Sequence, residues 1–210
     1  MRALAALAFA APLAGCATAV APPAAVTSYA APAGCAAAPD LRSAIGMTPA
    51  KRKRLHSVST PVGAGTPCLQ WKEARGPHVV YALPEDRADR LVEIGAALEG
   101  ARIFSPAVTT LDAAGREVRA FPADQFLIRG NVLSVQFVPR PEERYALVSA
   151  DPARMGQGRE DIAISTTTAA TYTGFGVATW TSGHDRASSR DFSYEGMVLA
   201  FLHDRMPDGK

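Results

Sequence analysis

Charge is missing from the start of this chain: no Asp, Glu, Lys or Arg occurs between Arg2 and Asp40. Long hydrophobic runs are missing too. The apolar run from Ala3 to Leu13 is too short for the about 20 residues that cross a bilayer as a helix. Behind the single positive charge of Arg2, it matches the short apolar core of a signal peptide. A strong charge of one sign is also lacking. With 22 basic against 20 acidic residues the chain has no surplus from which to build a nucleic-acid-binding face.

Histidine is scarce, and none of His56, His78, His184 and His203 sits at the spacing of a helical or hairpin metal pair, so no metal or other cofactor is expected. Ser182, His184 and Asp185 are neighbours in sequence, but a catalytic triad is assembled across a fold and Ser182 has no nucleophile-elbow context. Gly174-Phe175-Gly176 lacks the third glycine, the preceding parallel strand and the following helix of a nucleotide cradle, and reads as a bend. Glu85, Asp86, Asp89 and Glu93 lie close in sequence beside a turn. They read as solvated charges rather than as carboxylates facing each other across a glycosidase cleft. No catalytic residue emerges, and the expectation is a protein that is not an enzyme.

Leu13-Ala14-Gly15-Cys16 has the form of a bacterial lipobox: a branched residue and two small ones precede the cysteine that is acylated. Residues 1–15 are thus expected to be a signal peptide and Cys16 a lipidated first residue. Each buried methylene of an acyl chain contributes about 0.8 kcal/mol, so several chains make attachment durable. Ala17, where an aspartate would favour inner-membrane retention, points to the outer membrane. The expected location is the periplasmic side of the cell envelope.

Two cysteines remain after Cys16. Cys35 and Cys68 can pair in an oxidising compartment, or stay free. A bridge would stabilise by roughly 3 to 4 kcal/mol on the chain-entropy model.

Residues 16–39 are mostly Ala with Pro22, Pro23, Pro32 and Pro39, an extended tether with little to bury. Residues 40–66 read as a basic linker with one short helix, Asp40 capping Leu41, Ala44, Ile45 and Met47. Lys51-Arg52-Lys53-Arg54 within it is either a solvated loop or a contact for anionic lipid.

Residues 67–210 read as a single all-β domain of about 150 residues, an antiparallel, jelly-roll-like β-sandwich. Leu69 and Trp71 alternate with polar neighbours, as do Val79 and Tyr81 before the Leu83-Pro84 break. Arg102–Phe104 and Val108–Leu111 flank Ser105-Pro106, where the proline suggests a bulge or an edge kink. Asp112–Gly115 is a turn leading into the alternating Glu117–Phe121, a hairpin signal, and Val132–Val138 and Tyr145–Val148 continue the pattern. Regular structure is hard to assign from there until the apolar Met197–Leu202.

That unassigned segment concentrates Tyr172, Phe175, Trp180, Phe192 and Tyr194 among Asp185, Arg186, Arg190 and Asp191. Aromatic faces pack on pyranose rings while charged and amide groups bond the hydroxyls. Tyr172, Phe175, Trp180, Asp185, Arg190 and Tyr194 are therefore the candidate ligand-binding residues; the alternative is that the aromatics fill the core.

The order of several motifs resembles the maltose operon periplasmic protein (MalM) family. These are Trp71 in an early strand, Tyr81-Ala82-Leu83-Pro84, Ile103-Phe104-Ser105-Pro106-Ala107-Val108 running into Leu111-Asp112, Phe121 to Phe126, and Arg144-Tyr145-Ala146-Leu147-Val148. The resemblance covers about 80 residues. It implies a periplasmic β-sandwich associated with carbohydrate uptake, distinct from the transporter's sugar receptor and without catalytic residues. The lipobox with its tether and the Gly/Thr-rich segment 151–190 depart from the family. The expected partners are the membrane through Cys16, and a glycan or a transport or envelope protein, with no nucleic acid. The rival expectation is a structural envelope lipoprotein that binds an outer-membrane protein, lipid or peptidoglycan.

Overall fold

Leu55–Val62 and Gly196–Asp204 alternate more and less buried residues because each lays one face against a second sheet. A computed structural model describes residues 21–32, 34–49, 51 and 54–205, with the side chains of 161–166 and 184–187 not described. Fourteen strands occur among the described residues. They are β1 (Ile45–Gly46), β2 (Leu55–Val62), β3 (Cys68–Trp71), β4 (Ala74–Ala82), β5 (Arg90–Glu99), β6 (Arg102–Phe104) and β7 (Pro106–Leu111). After these come β8 (Glu117–Phe121), β9 (Leu127–Arg129), β10 (Val132–Phe137), β11 (Tyr145–Ala150), β12 (Gly158–Tyr172), β13 (Val177–Ser193) and β14 (Gly196–Asp204).

The fold is all-β. One sheet has the order β1-β4-β11-β7-β8, with β3 paired to β4. The other has the order β12-β13-β6-β5-β10-β9, with β14 paired to both β2 and β5. Pairing is antiparallel except for β1 on β4 and β13 on β6. The core lies between the sheets. Val79, Tyr81, Val108, Ala146 and Val148 from the first meet Ile94, Ala96, Leu133, Val135, Val198 and Leu202 from the second. Tyr81 is fully buried, donates to Thr60 Oγ1 at 2.8 Å, and burial pushes its phenol up to about 12. Gly95 faces the backbone of β10 so closely that a Cβ there would sit 2.0 Å from the Leu133 carbonyl oxygen.

A buried acid closes one end of the sandwich. Glu143 is 0% exposed and accepts hydrogen bonds from Thr110 Oγ1 (2.7 Å), the Arg140 amide (2.7 Å) and the Arg119 guanidinium (2.9 Å). Arg119 in turn lies over the rings of Phe121 and Phe137, at 4.7 and 5.1 Å. Paired and hydrogen-bonded in this way, a buried carboxylate is tolerable; alone it would not be.

Three local expectations need correction. The helix after Asp40 is a single 3-10 turn, Leu41–Ser43, because the chain from Ile45 leaves to pair with Tyr81 and Ala82 of β4; Asp40 still caps it, accepting from the Arg42 amide at 3.0 Å. Ser105-Pro106 is neither bulge nor edge kink but the crossing between sheets. Proline needs no ladder donor as the first residue of β7, and Ser105 is fixed by the Ser193 and Asp151 backbones. Glu93 is not a solvated charge but is 6% exposed on β5.

The Ala/Pro-rich segment is extended, as its prolines require, yet it is held against the domain. The Val26 amide donates to Ser193 Oγ (2.9 Å), the Tyr194 amide donates to the Val26 carbonyl (2.8 Å), and the Tyr29 and Tyr194 rings stack at 5.3 Å. Ala36 bridges to Leu69, and the adjacent Cys35 is disulfide-bonded to Cys68 with the Cα atoms 4.7 Å apart. Cys16 and residues 1–15 lie outside the described residues, as do Arg52 and Lys53 of the basic run. Among the described residues no helix is long and apolar enough to cross a membrane.

Candidate functional site

Segment 151–190, unreadable in the sequence, is mostly one long hairpin. After a 3-10 turn at Pro152–Arg154, capped by Asp151, strands β12 and β13 pair antiparallel from Gly158↔Asp191 to Tyr172↔Val177. β13 pairs with the sandwich through Asp191–Ser193 on β6. At about 3.3 Å per residue, the fifteen-residue β12 carries the arm about 45 Å from its root.

The hairpin separates the candidate ligand residues. Tyr172, Phe175 and Trp180 are at its distal end, 76%, 105% and 54% exposed. Arg190 lies near the root, where it bonds Ser188 Oγ at 2.7 Å. Tyr194 is beyond β13, packed against the core and Tyr29. Asp185 pairs with Ile164 in the ribbon, and its side chain is outside the described residues. Phe192 is 5% exposed and belongs to the core. The structure therefore places Tyr172, Phe175 and Trp180 at one end of the arm, with Tyr172 and Trp180 on opposite faces of the ribbon by register, and leaves Arg190 and Tyr194 at the other end.

A concave surface occurs instead on the outer face of the first sheet. Val108 and Val148 face the core, so their neighbours Ala107, Thr109 and Ser149 face outward. Together with Ala120 of β8 they form a floor of small side chains. Trp71 at the end of β3 and Lys72 and Glu73 of the following turn line the groove with this floor, as do Asp151 and Pro152. Lys72 adopts φ 55°, the one non-glycine residue with positive φ among the described residues, and its ammonium meets Glu117 at 2.7 Å across the strand ends. The resulting groove holds about 650 Å³.

Trp71 packs partly on Leu69, Val80, Leu111 and Leu147, while its indole Nε1 is enclosed without a hydrogen-bond partner among the described residues. A buried donor left unpaired costs about 1–3 kcal/mol, so such groups ask for an explanation. The Thr109 and Ser149 side chains offer hydroxyls on the floor. Asp151 is committed to the fold, since its carboxylate caps the following turn at Ala153 (3.0 Å) and pairs with Arg154 (2.9 Å). In the sequence Trp71 is a strand residue and one of the resemblance motifs, not a site candidate, and nothing in one dimension joins it to positions 107, 109, 120 and 149.

A second polar group lies on the outer face of the other sheet. Glu93 accepts from Ser134 Oγ (2.6 Å) and Gln136 Nε2 (2.8 Å), and His203 Nε2 is 3.3 Å away. The connectivity is Ser–Glu–His, with the serine proton directed at the carboxylate and not at the imidazole, so His203 is not placed to activate Ser134. Among the described residues no three His, Cys, Asp or Glu side chains are grouped to hold a metal ion. No protein-family model, curated protein or solved structure matches this chain.

Proposed function

We propose that this chain is a non-catalytic, lipid-anchored accessory protein of the bacterial cell envelope that holds a glycan in the groove beside Trp71. Anchoring is supported by Leu13-Ala14-Gly15-Cys16 behind an apolar, uncharged leader, and placement in the outer membrane by Ala17. A carbohydrate role is supported by the resemblance to the maltose operon periplasmic protein family.

The observation that carries the reading is Trp71. Trp71 beside a floor of Ala107, Thr109, Ala120 and Ser149 puts aromatic carbon and side-chain hydroxyls on the lining of one groove. Sugars need both kinds of contact. The Ser–Glu–His order on the opposite face favours binding over chemistry.

Isothermal titration with maltodextrins, other envelope glycans and peptidoglycan fragments tests it. A glycan should bind the chain, and Trp71→Ala, which also gives up packing on Leu69, Val80, Leu111 and Leu147, should remove that binding at a temperature where circular dichroism shows the variant folded. Heat from no glycan, or binding that survives Trp71→Ala, would contradict the reading.

A further inference from the structure

The arm is built as a domain surface should not be built. Every residue from 170 to 183 is exposed. No Asp, Glu, Lys, Arg or Pro occurs between Asp161 and Asp185, so the edges carry none of the charges or prolines that usually keep an open strand solvated and single. An isolated two-stranded ribbon is marginal in water at best. Exposed apolar bulk is gathered at its end: Tyr172, Phe175, Val177 and Trp180 are four of the six large hydrophobic residues exposed among the described residues, the others being Leu55 and Leu127. Phe175, fully exposed, is held at the apex between Gly174 (φ 85°) and Gly176 (φ 156°), with Thr173 closing the turn onto the Gly176 carbonyl at 2.9 Å.

A second observation says what this end meets. The N-terminal segment is docked at the arm's root: Val26 is bonded to Ser193 and Tyr194, Thr27 lies against Gly156, and Pro22 abuts Gly100 in the turn before β6. Cys16 is five residues before Ala21, and five residues span at most about 18 Å. A bilayer holding Cys16 is therefore close to the root of an arm about 45 Å long, and an arm longer than its leash reaches that surface over a wide range of orientations.

We infer that the β12–β13 arm is a membrane-contacting element whose end, Tyr172 to Val177 with Trp180, enters the interfacial layer of the lipid surface that holds the N-terminus. The inference rests on the lipid-anchor part of the proposed function and is independent of the glycan groove. Tyr and Trp suit that layer because each joins an apolar ring to a polar tip. An uncharged ribbon end enters it without burying an ion, and the charged positions 159–161 and 185–186 stay nearer the root, on the aqueous side. Edge-to-edge pairing with a second copy would draw on the whole ribbon and give no reason for the apolar bulk to gather at the apex.

The test uses vesicles of phosphatidylethanolamine and phosphatidylglycerol. Two proteins are compared, the acylated chain and the unacylated chain 17–210, which contains every described residue. With Trp71→Phe in both, Trp180 is the sole tryptophan. The expected result is that vesicles shift Trp180 emission to the blue, that brominated acyl chains quench it, and that the unacylated chain still co-sediments. Phe175→Asp should weaken that co-sedimentation by roughly tenfold or more, with the circular dichroism unchanged. Trp180 emission indifferent to vesicles on the acylated, membrane-held chain overturns the inference, as does co-sedimentation unaffected by Phe175→Asp. Disulfide-linked dimers through Thr171→Cys without quenching overturn it in favour of a second copy. The mass of the mature N-terminus decides acylation separately, so an unmodified Cys16 with a quenched Trp180 sinks the anchor and leaves the arm's role standing.

Discussion

The sandwich and the arm are both antiparallel β-structure, and they differ in what their side chains meet. In β5, facing positions Val92, Ile94 and Ala96 are 0% exposed, and the polar Glu93 between them is satisfied by Ser134 and Gln136. Over 167–172 of β12 and 177–183 of β13, Thr, Ala and Ser alternate with Tyr172, Val177 and Trp180, and every residue but Ala169 is exposed. Backbone pairing is the main support of the ribbon among the described residues, whereas burial on the scale of 25 cal/mol per Å² of apolar surface holds the sandwich. Stability should therefore reside in the body, and the arm should be energetically silent until it meets something.

The sharpest way to break that contrast is Gly95→Ala. A Cβ 2.0 Å from the Leu133 carbonyl can only be accommodated by parting β5 from β10, and we expect a loss of more than about 3 kcal/mol in urea denaturation. A smaller loss would mean the central ladder is looser than the structure shows. Next in size is the Cys35–Cys68 bridge, which ties the N-terminal segment to β3 across 33 residues. Cys35→Ser with Cys68→Ser should lower stability by roughly 3 to 4 kcal/mol on the chain-entropy model, read from the same denaturation curve against wild type.

A smaller effect comes from His78, 7% exposed on β4. Burial holds its imidazole below the ordinary value of 6.5, against the opposing pull of the Pro67 carbonyl at 2.9 Å from Nδ1. The unfolded chain thus takes up this proton at higher pH than the folded one. Stability is full above about pH 6.5 and declines as pH falls below it, until the folded imidazole titrates as well. Melting temperatures between pH 7 and 5 should show the decline, and His78→Gln should flatten it. Smallest is Thr168→Ala in the arm, expected to change stability by less than about 0.5 kcal/mol because Thr168 is exposed and, among the described residues, its side chain bonds Thr181 across the ribbon. A large effect there would show that the arm supports the body.

The same contrast explains what could be read in the sequence. Glu117–Phe121 was visible because one-sided burial imposes a period of two, Asp112–Gly115 by its turn residues and Met197–Leu202 as an apolar run, and the structure contains β8, the turn and β14 there. The arm was invisible because Thr, Ser and Ala on both faces have no period, and Gly174, Gly176 and Gly183 read as loop. Glu93 was misread from its neighbours in sequence; its place between Val92 and Ile94 was the available sign that it shares a strand with core residues. The groove was beyond sequence reasoning, since Ala107, Ala120 and Ser149 meet only through the order β11-β7-β8.

Two tryptophans stand one in each region, Trp71 at the groove and Trp180 on the arm, so single-tryptophan fluorescence is the most direct test of the division of labour. The account predicts that in Trp180→Phe the remaining Trp71 responds to a bound glycan and ignores lipid vesicles, and that in Trp71→Phe the remaining Trp180 responds to vesicles and ignores glycans. Trp180 responding to a glycan while Trp71 stays silent would contradict it, and would return the binding site to the arm.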